Sequence, residues 1–205
     1  MGYFPFYIDI ENKEGLIAGG GRIAAHKIGK LLPFNPRLIV VAPYIQEDLK
    51  NNASLQCYER EVRDEDVAGK AFVIAATDNE SVNARISRLC REQNILVNVV
   101  DDKEKCSFIF PSIVKKGKIT ASFSTEGASP HIAATLRKKI EGEIPDNMEE
   151  ILDFLTDIRA VAKNQIQDST KRSAFLKNIA DICFEQKRIL TKEETEELIK
   201  SYKSL

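Results

Sequence analysis

Three consecutive glycines, Gly19-Gly20-Gly21, stand between the apolar run Leu16-Ile17-Ala18 and a stretch with helical spacing at Ile23, Ile28, Leu31 and Leu32. With Ala24 they spell G-x-G-x-x-A, a spacing that suits a turn from a parallel strand into a helix. Gly19 allows the tight turn, Gly21 leaves no side chain to block a pyrophosphate, and Ala24 lets the helix pack closely on the strand. Free N–H groups and the helix dipole favour negative charge at that end. Gly19, Gly20, Gly21, Arg22, Ile23 and Ala24 are therefore candidate dinucleotide contacts. A structural glycine turn that binds nothing is the other reading of the loop.

The runs that follow agree with a strand–helix alternation. Arg37-Leu38-Ile39-Val40-Val41-Ala42 is a second β-type run, Leu55-Gln56-Cys57-Tyr58 a short third, and Ala71-Phe72-Val73-Ile74-Ala75-Ala76 a fully apolar fourth. A helix is predicted from Ser81 to Gln93, followed by Ile95-Leu96-Val97-Asn98-Val99-Val100. Continuous apolar runs separated by amphipathic helices describe a parallel sheet covered on both faces. The expected fold is α/β, with an N-terminal Rossmann-like doubly wound sheet over residues 1–112. A small strand–helix segment over 113–145 comes next: Lys118 to Ser124 alternates like a strand, and Ser129-Pro130 caps and opens a helix through Ile140. Residues 146–205 carry no strand signal and read as a helical domain, its last helix opened by a capping box at Thr191 and Glu194.

Composition bounds the function. Thirty basic and 31 acidic residues leave a net charge of −1, which speaks against a nucleic-acid binder acting through a broad positive field. No run of about 18 apolar residues exists, so no membrane helix is expected. The N-terminus has no basic leader, and its apolar run is broken by Pro5 and Asp9; a cytoplasmic protein is expected. Cys57, Cys90, Cys106 and Cys183 lack disulfide or zinc spacing, and His26 and His131 form no metal-binding pair. No resident metal is expected.

One part of the dinucleotide pattern is missing. The acid that contacts the ribose normally ends the second strand, but here the run closes on Val41-Ala42-Pro43. No arginine stands there for a 2′-phosphate either, so these residues leave NAD and NADP both open.

Together, several short blocks resemble the precorrin-2 dehydrogenases, including the dehydrogenase module of siroheme synthase. They are Phe4-Pro5-Phe6-Tyr7-Ile8-Asp9, the triple glycine with Ala24 and Lys27, Val41-Ala42-Pro43, and Ala75-Ala76-Thr77-Asp78 with Asn83. Asn98-Val99-Val100-Asp101, Ser107 through Ser112, and Ser124 through Pro130 complete the set, in the family's order. The resemblance implies NAD as cofactor, precorrin-2 as substrate and sirohydrochlorin as product, in a homodimer formed largely through the middle segment. It adds Ala42, Pro43, Thr77, Asp78 and Asn83 to the cofactor contacts. It places Thr125 near the substrate; Ser124 and Gly127 share its loop, which precedes a helix N-terminus that suits a substrate carboxylate. Arg22, His26, His131 and Arg137 are candidate basic partners for such carboxylates, with surface solvation the other reading of each. The chain stops before the methyltransferase domain of fused siroheme synthases and is expected not to methylate uroporphyrinogen. His26 departs from an arginine usual in the family, and Glu126 from a frequent glycine.

Oxidation of precorrin-2 removes two hydrogens, one taken by a nicotinamide and one leaving as a proton. The resemblance gives the essential aspartate position to Asp101, and Asp101 also lies just past a strand's carboxyl end, where open α/β sheets place ligands. Asp101 is the candidate general base, and Asp102 its local competitor. The run Asp101 to Lys105 also reads as a solvated loop, and Asp78 as a cap for the following helix. Two further functions stay open: a bifunctional dehydrogenase that also inserts iron into sirohydrochlorin, and a non-catalytic NAD or tetrapyrrole sensor.

Overall fold

Strands covered on both faces have no polar side to alternate with, and the apolar runs of the N-terminal half behave accordingly. A computed structural model describes residues 3–204 and divides into two units, one ending at Phe110 and the other beginning at Pro111. In the first, β1 (Glu14–Ala18), β2 (Arg37–Ala42), β3 (Leu55–Glu59), β4 (Phe72–Ala75) and β5 (Leu96–Val99) form one sheet in the order β3-β2-β1-β4-β5. All four pairings are parallel; Ile17 stands opposite Val40 on one side and Ile74 on the other. The connecting helices are α1 (Arg22–Leu31), α2 (Glu47–Lys50) and α3 (Glu80–Glu92).

Alternate strand residues feed two cores. Ile17, Val40, Ala42 and Ile74 pack with Ala24 and Ile28 of α1 and with Ile45 and Leu49. Leu16, Ala18, Val41, Val73, Ala75, Val97 and Val99 pack with Ile86 and Cys90 of α3. Each fully buried leucine or isoleucine stabilises the unit by about 2 kcal/mol relative to exposure. Because α1 covers one face and α3 the other, the chain leaves β1 and β4 towards opposite faces at the sheet's carboxyl edge. A doubly wound sheet opens its ligand crevice at that switch point.

The second unit starts with β6 (Ser112–Lys116) and β7 (Ile119–Phe123), an antiparallel pair with Ser112 opposite Phe123. Four helices follow: α4 (Pro130–Glu143), α5 (Met148–Gln165), α6 (Ser169–Gln186) and α7 (Lys192–Ser204). One core serves both the hairpin and the helices: Val114, Ile151, Ile158, Phe175, Ile179 and Cys183 are buried together, with Ala121 and Phe123 packed against them. The Ser129 hydroxyl caps α4, accepting from the Ile132 N–H at 3.3 Å. Thr191 and Glu194 form the expected reciprocal box, with bonds of 2.8 and 3.2 Å. Strand β6 is not anticipated by the sequence pattern, and α4 continues three residues beyond Ile140. Among the described residues no helix is long and apolar enough to cross a membrane, and all four cysteines are free thiols.

Candidate active site

The three glycines meet three different demands. Gly19 has φ +129°, and a Cβ there would lie 2.4 Å from the Ala76 carbonyl oxygen, so the loops after β1 and β4 meet only because this residue has no side chain. Gly20 is buried, and a Cβ would stand 2.3 Å from the Tyr44 carbonyl oxygen, against the loop that follows β2. Gly21 is exposed with nothing within 4 Å of a Cβ position. It is the N-cap of α1, and no side chain accepts from the first-turn N–H groups. Open space in front of uncapped N–H donors fits a pyrophosphate, which needs close approach to backbone. Gly21, Arg22 and Ile23 line a cavity of about 600 Å³. Gly19, Gly20, Ala24, Ala42 and Pro43 do not line it; Ala24 and Ala42 are buried in the core beneath.

Across the crevice, the carboxyl end of β4 contributes Ala76, Thr77 and Asp78. Asn83 is buried and reaches back from α3. Its Nδ2 donates to the Thr77 carbonyl at 2.9 Å, and its Oδ1 accepts from the Thr77 hydroxyl at 2.7 Å. Thr77 and Asn83 therefore brace each other and shape the cavity wall. Asp78 does not cap α3. The cap is Asn79, whose Oδ1 accepts from Ser81 and Val82 N–H at 3.0 and 3.2 Å. Asp78 remains exposed on the cavity rim, with no hydrogen bond or ion pair among the described residues.

Asp101 stands two residues past β5, on the same cavity. Its φ is +60°, the left-handed region that aspartate tolerates better than most residues. Backbone bonds hold it on either side: the Val100 N–H donates to Ala75 at 2.9 Å, and the Asp102 N–H to Val99 at 3.4 Å. Asp102 is committed to the loop. Its side chain accepts from the Lys105 N–H at 3.2 Å and pairs with the Lys105 ammonium, which also lies 3.3 Å from Glu80 on α3. The Lys105 hydrogen bond keeps the Asp102 carboxyl below its ordinary range. The Asp101 carboxylate has no hydrogen bond or ion pair among the described residues. The two aspartates are thus distinguished by what holds them, and the run to Lys105 is a braced turn.

Two residues below the turn carry weight that sequence reasoning missed. The Cys106 sulfur accepts from the Val99 N–H at 3.1 Å and lies 3.2 Å from the Val99 and Asp102 carbonyls, closing the turn from beneath. Lys27 of α1 is half-buried, its ammonium 4.2 Å from the centre of the Phe110 ring. Burial lowers its pKa, while Cys106 and Asp101 pull it back up, so it sits within electrostatic reach of Asp101. Its signal was visible: a lysine at helical spacing among Ile23, Ile28 and Leu31.

The remaining candidates all belong to the second unit. Thr125 closes a turn on itself, donating through its hydroxyl to the Ser129 carbonyl at 3.0 Å and accepting from the Ser129 N–H at 3.1 Å. The Ser124 hydroxyl accepts from the Glu126 N–H at 3.1 Å. Glu126 and Gly127 have φ +54° and +88°, a conformation that glycine adopts freely and a glutamate only with strain. His131 is exposed on the first turn of α4, and Arg137 is engaged by Glu141 at 2.5 Å on the same helix.

A family model described as "Putative NAD(P)-binding" matches residues 6–112. The chain is 34% identical over 199 residues to a siroheme synthase of Actinobacillus succinogenes, which covers 96% of this chain and 41% of that protein. A siroheme synthase of Thioalkalivibrio sulfidiphilus is also 34% identical, over 184 residues, 88% of this chain and 38% of that protein. The chain thus spans about two fifths of the length of the curated relatives it matches. Among solved structures, SirC, a precorrin-2 dehydrogenase, superposes with a TM-score of 0.72 at 20% identity, covering 99% of this chain and 100% of that one. That likeness establishes the same fold across both units.

Proposed function

The chain belongs to the NAD(P)-binding family whose model spans residues 6–112, and from that premise we propose that it oxidises precorrin-2 to sirohydrochlorin with NAD as acceptor, in siroheme biosynthesis. The observation that carries the proposal is the unbonded Asp101 carboxylate, which shares one cavity with the open Gly21 loop.

In this reading Gly21, Arg22 and Ile23 receive the pyrophosphate at the start of α1, and Thr77, Asp78 and Asn83 border the rest of the cofactor groove. When bound, the nicotinamide supplies the two-electron acceptor that no side chain here provides. Asp101 takes the proton that leaves the macrocycle, from a position fixed by the braced turn. Lys27 stands within electrostatic reach of that carboxylate without a hydrogen bond to it. Ser124, Thr125, Gly127, His131 and Arg137 are proposed as further substrate contacts. The Ser124–Ser129 turn offers N–H groups at the start of α4 to a substrate carboxylate.

A homodimer is part of the proposal. Ile132, Leu136 and Ile140, one helical turn apart on α4, are 54%, 42% and 39% exposed. An apolar stripe of that kind is what an interface between two copies covers. The cytoplasm is the proposed compartment, supported by four thiols left unpaired.

The deciding experiment supplies precorrin-2 and NAD and follows NADH absorbance. Wild-type protein is expected to produce NADH. Asp101→Asn is expected to lose roughly 10²- to 10⁴-fold in turnover, the usual reach of a positioned base, while Asp102→Asn keeps most of its activity at lower stability. Full activity in Asp101→Asn with loss in Asp102→Asn would move the role to Asp102.

A further inference from the structure

The end of β2, where a doubly wound sheet receives the adenosine ribose, has no acid of its own. The sheet register supplies one from the adjacent strand. Ala42, the last residue of β2, pairs with Glu59 on β3, about 5 Å across the ladder. The Glu59 carboxylate accepts from the Ile45 N–H at 3.4 Å, three residues beyond the end of β2. This is the same loop that backs onto Gly20, so the carboxylate lies beside the segment that a bound adenosine would meet.

Lys50 holds it there. The ammonium is 2.8 Å from Glu59 and 3.1 Å from Glu47, and the Lys50 hydrogen bond keeps the Glu59 carboxyl below its ordinary range. Glu47, Asp48 and Glu59 outnumber this one lysine. Arg60, next along the chain, is occupied by Asp66 through two bonds of 2.7 Å. The surroundings of the β2 end are therefore acidic, without any acid on β2 itself.

We infer that Glu59 is the specificity-determining residue of the cofactor site, supplying from β3 a carboxylate to which a ribose diol donates and which repels a 2′-phosphate. The inference rests on the dinucleotide reading of the Gly21 loop. Lys50 has the complementary part: with Glu59 in place its charge is neutralised, and without Glu59 it becomes a phosphate ligand.

The test titrates NADH and NADPH into the purified full chain by nicotinamide fluorescence, without substrate, and reads the ratio of the two Kd values. Wild-type protein should prefer NADH by about tenfold or more, the scale of one like-charge contact near a surface. In Glu59→Gln that preference should shrink by about tenfold, with NADPH gaining. In Lys50→Met it should widen severalfold, a second readout that stands even where Glu59→Gln does not fold. A merely structural Glu59 would weaken both nucleotides alike and leave the ratio unchanged, which overturns the inference. Equal wild-type affinities, or no widening in Lys50→Met, also overturn it while leaving the dinucleotide site intact. Binding of neither nucleotide by wild-type protein overturns both readings.

Discussion

Replacing Gly19 and Gly21 separately by alanine should give opposite phenotypes from two residues of one motif. At Gly21 the backbone is extended, φ −93° and ψ −169°, and a methyl group meets nothing within 4 Å. Alanine is a poorer N-cap than glycine by roughly 0.5–1 kcal/mol. It also removes about 0.4–1 kcal/mol of unfolded-state entropy. The two nearly cancel, so Gly21→Ala should unfold in urea within about 0.5 kcal/mol of wild type. The same methyl fills the approach to the first-turn N–H groups, and NADH affinity should fall at least tenfold, about 1.4 kcal/mol. At Gly19, φ is +129° and the new Cβ lies 2.4 Å from a carbonyl oxygen. Backbone strain of about 1–3 kcal/mol adds to overpacking of about 1–3 kcal/mol. Gly19→Ala should therefore lose roughly 2–6 kcal/mol of a total near 5–15, with much of the protein unfolded at the weaker end. Urea denaturation and NADH fluorescence on the two variants decide the matter. Equal destabilisation of both, or a Gly21→Ala protein that binds NADH normally, would refute the assignment.

Leu136→Glu puts a charge into the middle of the exposed α4 stripe and should convert a dimer to monomers by sedimentation, with secondary structure unchanged; a dimer that persists places the interface elsewhere. Glu194, held by Arg188 through bonds of 2.8 Å, has its carboxyl lowered to about 2. A depressed carboxylate contributes stability above its unfolded pKa and loses it as pH falls through the folded value. The contribution of Glu194 should therefore be complete above about pH 4.5 and fade towards pH 2. Thermal melts of wild type and Glu194→Gln should converge across that interval; curves that stay parallel would exclude the linkage.

Much of this fold is legible because burial writes itself into the sequence. The apolar runs of β1, β2, β4 and β5 have no polar alternation, and Ser129, Thr191 and Glu194 announce helix starts at the right places. Strand β6 was hidden because only Val114 of Ser112–Lys116 is fully buried and two lysines end it. The clue lay in Gly117, whose φ of +54° turns the chain into β7. Asp78 and Asn79 are adjacent cap formers, and only geometry separates them. Asp101 could be singled out from its strand end, but the reason Asp102 is unavailable required Lys105 in three dimensions. The role inferred for Glu59 depends on which residue of β3 lies beside Ala42, a fact of register that no local pattern carries.

Lys105 grips Asp102 and Glu80 at once, and the Cys106 sulfur ties Val99 to Asp102. Immobilising a residue's backbone costs on the order of 1–2 kcal/mol, and around Asp101 that cost falls on folding, not on binding. A ligand entering this crevice meets an aspartate whose backbone was settled before it arrived, and little of its affinity is diverted to freezing the turn.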